Sequence, residues 1–208
     1  MPKLKPFLFI LSLSLIQFHC ATSPAGRLPK VKASDLEFQG DIKTKIFSSW
    51  TAEIDTSFNK ENIEANHVSE RKKAFEDVVK QTGCCVLVDR KEDANLILNM
   101  KTYGATNLGV LFLGILSSVT VYLIPSWITL DARIEAQVQG RNLRRMYQLS
   151  DSVVLTQWLP LIVAEPSQDH LPLRAQDILL ENVFKTLLLK MKEDGFLAPK
   201  QDKGPPTS

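Results

Sequence analysis

The most regular pattern in the chain is a strict alternation of apolar and polar residues over 128–138. Successive side chains of a β-strand point to opposite faces of a sheet, so this alternation predicts a strand with one covered face and one wet face. We therefore expect Leu130, Ile134 and Val138 to be buried, and Arg133 and Glu135 to be exposed. The apolar positions are Ile128, Leu130, Ala132, Ile134, Ala136 and Val138.

Shorter apolar or alternating segments indicate the remaining strands. The run 84–88 is brief and apolar, which is typical of a central strand. Gly140 lies in a polar turn sequence directly after the most regular strand, so the residues beyond it are expected to return along the sheet. The other predicted strands are 45–55, 94–100, 143–149 and 152–158.

Helical spacing of apolar residues predicts two helices, at 69–82 and 173–194. Ser69 can cap the start of the first, and Gly83 follows it where a left-handed residue is favoured. Gly195 ends the second in the same way. The first helix has one apolar stripe, and the second a broader one. The stripe positions are Phe75, Val78, Val79, Thr82, Leu180, Val183, Phe184, Leu187, Leu188 and Met191.

This order of elements predicts an α+β fold, a two-layer sandwich in which a mostly antiparallel sheet carries two helices on one face. We expect one such domain over 42–198, with an apolar insert at 102–127. The segment 20–41 is expected to be a tether and 199–208 a disordered tail.

The insert belongs to a stretch, 102–130, that contains no charged residue. Its length permits a true membrane span at 108–128. Gly104, Gly109 and Gly114 interrupt the stretch, however, and Pro125 follows its most apolar part, 108–124. We expect the segment to pack in the domain or dip into a bilayer surface, with a true span as the alternative.

The amino terminus has the pattern of an export signal over residues 1–19. Lys3 and Lys5 precede an apolar run, 7–18, that is too short for an ordinary span, and Cys20 ends it. Small residues follow the cysteine. This arrangement resembles the bacterial lipoprotein signal, in its loose spirochaetal form, because Phe18 and His19 stand where small residues are usual.

The resemblance implies that Cys20 becomes the lipidated first residue of a cell-envelope protein, carrying palmitate or a similar acyl chain. Cleavage after Ala25 to give a soluble exported protein, and retention of the segment as an anchor, are the alternatives. The fold expected here is similar to the TolB amino-terminal domain and to the lipopolysaccharide-assembly lipoprotein, and that analogy extends to fold alone.

Charge and chemistry narrow the function. The chain has 25 basic and 23 acidic residues, and two of the basic ones lie in the signal, so the mature chain is neutral and nucleic-acid binding is not expected. No nucleotide, hydrolase or zinc motif occurs, and loop polarity explains the pair Asp169–His170. We predict no catalytic residue, metal or cofactor. For Cys84 and Cys85 we expect one buried and one partly exposed thiol. A vicinal disulfide, a metal site and a bridge to another chain are the alternatives, and two adjacent cysteines alone make a poor metal site.

We therefore predict a non-catalytic lipoprotein that holds or bridges protein partners, facing the periplasm or the cell exterior. A carrier for an apolar ligand or lipid, and a membrane protein with a true span, are the alternatives. Its predicted contact surface comprises Trp127, Trp158, Leu159, Leu161 and Ile162.

Overall fold

A computed structural model describes 20–24, 28–36, 43–55, 60–105, 126–140, 142–157 and 172–197. The chain divides into two compact units, where the sequence predicted a single domain. The larger unit comprises 26–106, 131–151 and 177–208, and the smaller comprises 1–25, 107–130 and 152–176. The strands are β1 (Cys20–Pro24), β2 (Thr44–Asp55), β3 (Cys85–Leu87), β4 (Leu96–Ala105), β5 (Ser126–Gln139) and β6 (Arg144–Gln157). The helices are α1 (Lys60–Thr82) and α2 (Pro172–Glu193).

The predicted α+β class is confirmed. Within the larger unit the strand order is β6-β5-β4-β2-β3. This unit contains β2, β3, β4 and α1 in full, and residues 131–139 of β5, 144–151 of β6 and 177–193 of α2. Strand β5 runs antiparallel to β4, whereas β2 runs parallel to both β4 and β3, so the sheet is mixed. The parallel pairs arise because α1 connects β2 to β3 and gives the chain the length for a crossover.

One face of this sheet, together with the helices, forms the core of the larger unit. Ile134 and Val138 of β5 are buried there, as predicted, and Arg133 is exposed. Glu135, which was expected to be exposed, and Leu130, which was expected to be buried, are both half-buried. An aromatic cluster ties the layers together, since the rings of Trp50 on β2, Phe75 on α1 and Phe184 on α2 lie 5.4–6.1 Å apart. Such tilted and edge-on contacts favour association beyond simple burial. Both helices therefore cover the same face.

Glycine ends both helices. Gly83 has φ of 61° and Gly195 has φ of 79°, the left-handed conformation that a residue with a Cβ adopts only at a cost. After Gly195, the amide of Phe196 donates to the carbonyl of Met191 at 2.9 Å. Helix α1 begins at Lys60, earlier than the predicted residue 69. The prediction missed the first turns because they are polar and show no clear apolar stripe.

Residues expected to form a tether carry regular structure. In the smaller unit, β1 pairs antiparallel with β6, with Cys20 opposite Gln157 and Pro24 opposite Val153. In the larger unit, Val31 is buried and its amide donates to Asn182 Oδ1 of α2 at 3.1 Å. The segment 20–41 is therefore held by pairing and packing where the structure describes it.

The apolar insert is shorter than predicted, since β4 extends to Ala105 and β5 begins at Ser126. Its most apolar part falls in 106–125, outside the described residues, as do the predicted tail 199–208 and the signal 1–19. Among the described residues, no helix has the length and apolarity needed to cross a membrane.

Candidate functional site

The sheet face opposite the helices is the most chemically varied surface of the larger unit. It is formed by alternate residues of β2, β4, β5 and β6, and we call it the open face. Its side chains are exposed or half-buried. The open face comprises Lys45, Phe47, Ser49, Thr51, Glu53, Ile97, Asn99, Lys101, Tyr103, Asp131, Arg133, Glu135, Gln137, Gln139, Arg144, Met146 and Gln148.

A polar row crosses the middle of the open face. Ser49, Asn99 and Gln137 are aligned on three neighbouring strands by the registers of β2 with β4 and of β4 with β5. Ser49 Oγ donates to Asn99 Oδ1 at 2.6 Å. With its amide oxygen turned toward Arg144, Gln137 accepts from Nη2 and Nε at 2.7 and 3.3 Å. These hydrogen bonds hold four polar side chains in fixed positions on the surface: Ser49, Asn99, Gln137 and Arg144.

A cationic and aromatic cluster lies beside that row. The Tyr103 ring has Lys101 Nζ at 5.0 Å and the Arg133 guanidinium at 4.7 Å from its centre. Lys101 also forms an ion pair with Glu53 at 2.5 Å. The contact with Glu53, and to a smaller extent the contact with Tyr103, raises the pKa of the Lys101 ammonium. Arg133 lies 3.6 Å from Glu135, and Gln148 Nε2 donates to Glu135 at 3.4 Å. Each charge in the cluster thus has an opposite charge or a ring beside it.

The balance of charge on the open face is close to neutral. Its basic residues are Lys45, Lys101, Arg133 and Arg144, and its acidic residues are Glu53, Asp131 and Glu135. A surface with interspersed and mutually paired charges lacks the strong positive field that draws nucleic acid or an anionic bilayer. Phe47, Ile97, Tyr103 and Met146 add apolar area, and Met146 is 61% exposed.

A second polar feature lies on α1, where Arg71 is buried and His67 is half-buried. His67 and Arg71 lie one turn apart on α1, and both have a buried nitrogen without a hydrogen-bond partner. Burial, together with the neighbouring charge of Arg71, lowers the pKa of His67 to about 4. The imidazole is therefore neutral near pH 7.

The cysteine pair differs from the expectation. Cys84 and Cys85 are joined as a vicinal disulfide, and both residues are buried, whereas we expected one partly exposed thiol. Cys84 lies between the end of α1 and β3, and Cys85 is the first residue of β3. Strand β3 is also an edge strand, not a central one, because it pairs with β2 alone in the strand order.

The predicted contact residues are not brought together by the described structure. Trp158, Leu159, Leu161 and Ile162 lie outside the described residues. Trp127 lies in β5, and Cys20 lies in β1 opposite Gln157. Across the described ranges, no cluster of three His, Cys, Asp or Glu side chains could hold a metal ion.

Sequence reasoning missed the open face as a site. Its alternating polar residues were visible on the predicted strands, but they indicated only a solvated side. What assembles Tyr103 and Arg133 is the pairing of β4 with β5, in which these residues are directly opposite. Register between strands is a long-range property, and here no local pattern fixed it.

Comparison with known proteins identifies no family for this chain. No family model and no curated protein matches the chain. Among solved structures, the PelC dodecamer from Paraburkholderia phytofirmans is similar, with a TM-score of 0.33 and 6% sequence identity, over 83% of this chain and 99% of that one. A likeness this distant carries no functional inference. The class of protein defined by the structure is therefore an α+β sandwich with one helix-covered and one open sheet face.

Proposed function

We propose that this protein is a non-catalytic lipoprotein of a bacterial cell envelope, anchored by a lipid on Cys20, which binds a protein partner through its open face. The observation that supports it best is the cluster of Tyr103, Lys101 and Arg133 on that face. Aromatic, methionine and arginine side chains are enriched at protein interfaces relative to other surfaces. Here they lie on one continuous face.

Fixed side chains favour such a role because association costs less when few rotamers must be immobilised. Lys101 is already held by Glu53, Arg133 is held by the Tyr103 ring and Glu135, and Asn99 is held by Ser49. The near-neutral charge favours a protein surface of mixed charge over nucleic acid or bilayer. A partner of this kind is what a protein that holds or bridges an envelope assembly requires.

The proposed anchor rests on the sequence around Cys20. A bacterial lipoprotein carries several acyl chains, and several chains hold a protein firmly where one does not. Because Cys20 begins β1, a lipid at that residue would attach directly to an ordered strand instead of to a flexible tether. The pairing of β4 with β5 also argues against a single membrane crossing between them, since one crossing would put the two strands on opposite sides.

Site-specific photo-cross-linking in the native organism tests the open face. A photoreactive residue at Asn99 or at Thr51 should give an adduct with the same protein partner. The matched control is Lys73, an exposed residue on α1, which lies on the other layer. Combining the probe at Asn99 with Tyr103→Ala and Arg133→Ala should abolish the adduct, while the thermal stability stays close to wild type.

The proposal fails if the two open-face positions give no common adduct. It also fails if the Tyr103→Ala, Arg133→Ala protein is folded and still gives the adduct in full. A carrier of a ligand with a polar end is the second candidate. The observation that favours it is the pair His67 and Arg71 on α1, each of which has a buried nitrogen without a hydrogen-bond partner.

A further inference from the structure

Two ionisable side chains occupy positions on α1 that its periodicity assigns to the core. Phe75, Val78 and Val79 form the buried stripe of this helix. Residues four apart lie on the same helical face, so Arg71 continues the stripe one turn before Phe75, and His67 continues it one turn further. Arg71 is only 7% exposed. Departures from a local pattern of this kind concentrate at functional sites.

One nitrogen of each side chain is left without a hydrogen-bond partner in the part of the protein that the structure describes. Arg71 Nη1 and His67 Nε2 are buried, and neither has a hydrogen-bond partner. Buried polar atoms are almost always paired in folded proteins, and the guanidinium stays charged at any ordinary pH. The acidic group whose charge acts on Arg71 is Glu70, which is itself exposed. A buried cation whose acidic neighbour is exposed to solvent is costly unless a further group supplies opposite charge.

The ends of β2 and β4 fix where the imidazole lies. Gly104 is paired with Ile54, and a Cβ at Gly104 would lie 3.2 Å from His67 Cε1 and 3.5 Å from Ile54 Cγ1. The glycine therefore leaves the space that the imidazole occupies.

We propose that Arg71 and His67 form a binding site for an oxyanion, a carboxylate or a phosphate group. The planar guanidinium matches the geometry of both groups and can donate two parallel hydrogen bonds. A neutral imidazole adds a further donor when its proton is on Nε2. The same chemistry occurs in a free anion and in the head group of an anionic amphiphile. The site is separate from the open face and does not depend on the partner proposed there.

Thermal unfolding of the full chain in a neutral detergent tests the site. Sodium phosphate and sodium acetate are compared with sodium chloride at matched ionic strength. At a free anion concentration about ten times the dissociation constant, the melting temperature should rise by roughly 3–6 °C for a chain of this size. Arg71→Met should remove that rise. Lys73→Met removes an exposed charge two residues away on the same helix and should leave the rise unchanged.

Arg71→Met should also be at least as stable as wild type in chloride, because it removes an unpaired buried charge and keeps the side chain long and apolar. A variant much less stable in chloride would overturn the proposal, since Arg71 would then be neutralised within the fold. An equal response of wild type and Arg71→Met to phosphate would also overturn it, because general salt effects act on both. An Arg71→Met protein that does not fold counts as that same contradiction, and a wild type whose melting temperature does not rise beyond its value in chloride refutes the site as well.

A pair of amphiphiles identifies the source of the anion. Decanoate carries the carboxylate with an apolar tail, and decyl maltoside carries a similar tail without charge. A larger rise with decanoate than with acetate, absent from decyl maltoside and from Arg71→Met, assigns the site to an amphiphile. Equal rises with decanoate and acetate assign it to a free anion.

Discussion

At the scale of single residues, position along a strand decides whether a side chain meets the helices or the solvent. On β5, Ile134 is 1% exposed, whereas Arg133, its neighbour in sequence, lies on the open face against the Tyr103 ring. The alternation in the sequence was sufficient to assign these faces. It could not show that Arg133 meets Tyr103, because that contact depends on the register of β4 with β5.

Ile134→Asp should unfold the larger unit. An unpaired carboxylate among the buried residues of the sheet costs several kcal/mol or must take up a proton. We expect a loss of about 3 kcal/mol or more, measured by denaturant unfolding. The control Gln139→Asp, at an exposed position of the same strand, should change the stability by less than about 0.5 kcal/mol. An Ile134→Asp protein with unchanged stability would contradict the assignment of this face.

His67 should make the fold sensitive to acid. Its pKa in the folded protein is about 4, below the ordinary value of 6.5, because of burial and the Arg71 charge. The unfolded chain therefore binds the proton first, so the stabilisation is complete above pH 6.5 and is lost as the pH falls toward 4. Melting temperatures measured across that range should fall more for wild type than for His67→Leu. Parallel curves for the two proteins would show that His67 contributes nothing.

At the scale of elements, the type of each predicted helix and strand is confirmed more often than its limits. The second helix was placed within one residue at each end, since its apolar stripe and Gly195 mark it clearly. The predicted strands 143–149 and 152–158 are one continuous strand, β6. The polar residues Ser150, Asp151 and Ser152 suggested a break. Asp151 is buried in the structure and accepts a hydrogen bond from Asn182 Nδ2 at 3.2 Å, so tertiary contacts sustain the strand there.

The sequence also could not predict that β2 runs parallel to both β3 and β4. The lengths of the connections allow a crossover between β2 and β3, but the side of β2 on which each neighbour lies depends on contacts between distant residues. Ile46 pairs with Leu87 on one side and with Leu96 on the other. No local pattern distinguishes these two partners.

Tyr147 should join β6 to the end of α2. Its hydroxyl donates to Asp194 Oδ2 at 2.5 Å, and burial followed by this hydrogen bond raises the pKa of the phenol. Tyr147→Phe should cost about 1 kcal/mol in denaturant unfolding, because Asp194 is exposed and regains water. Since the unfolded phenol ionises first, wild type should also lose stability as the pH rises above 10. Tyr147→Phe should lack that part of the alkaline loss, and identical alkaline curves would contradict the contact.

At the scale of the whole molecule, the proposed lipid anchor at the amino terminus precedes a two-layer unit whose sheet is open on one side. Residues 97–103 of β4 pair with 133–139 of β5, on either side of the uncharged stretch. The anchor, the partner and the oxyanion site are proposals that stand on different residues. Each can fail without the others.

Reporter fusions after Gly140 should locate the larger unit outside the cytoplasm. Gly140 follows β5, so it lies on the same side of any membrane as β4. A reporter active only outside the cytoplasm should be active there, and one active only in the cytoplasm should be silent. A parallel pair fused after Arg90, before the uncharged stretch, should give the same result. Opposite results at Arg90 and Gly140 would restore the alternative of a true span at 108–128.

The mass of the mature amino-terminal peptide tests the central proposal most directly. The chain should be isolated from membranes of cells labelled with palmitate. Its first residue should be Cys20, with the mass of the attached acyl chains, and Cys20→Ala should carry no label. An unmodified amino terminus at Gly26 would contradict the lipoprotein account, as would equal labelling of wild type and Cys20→Ala.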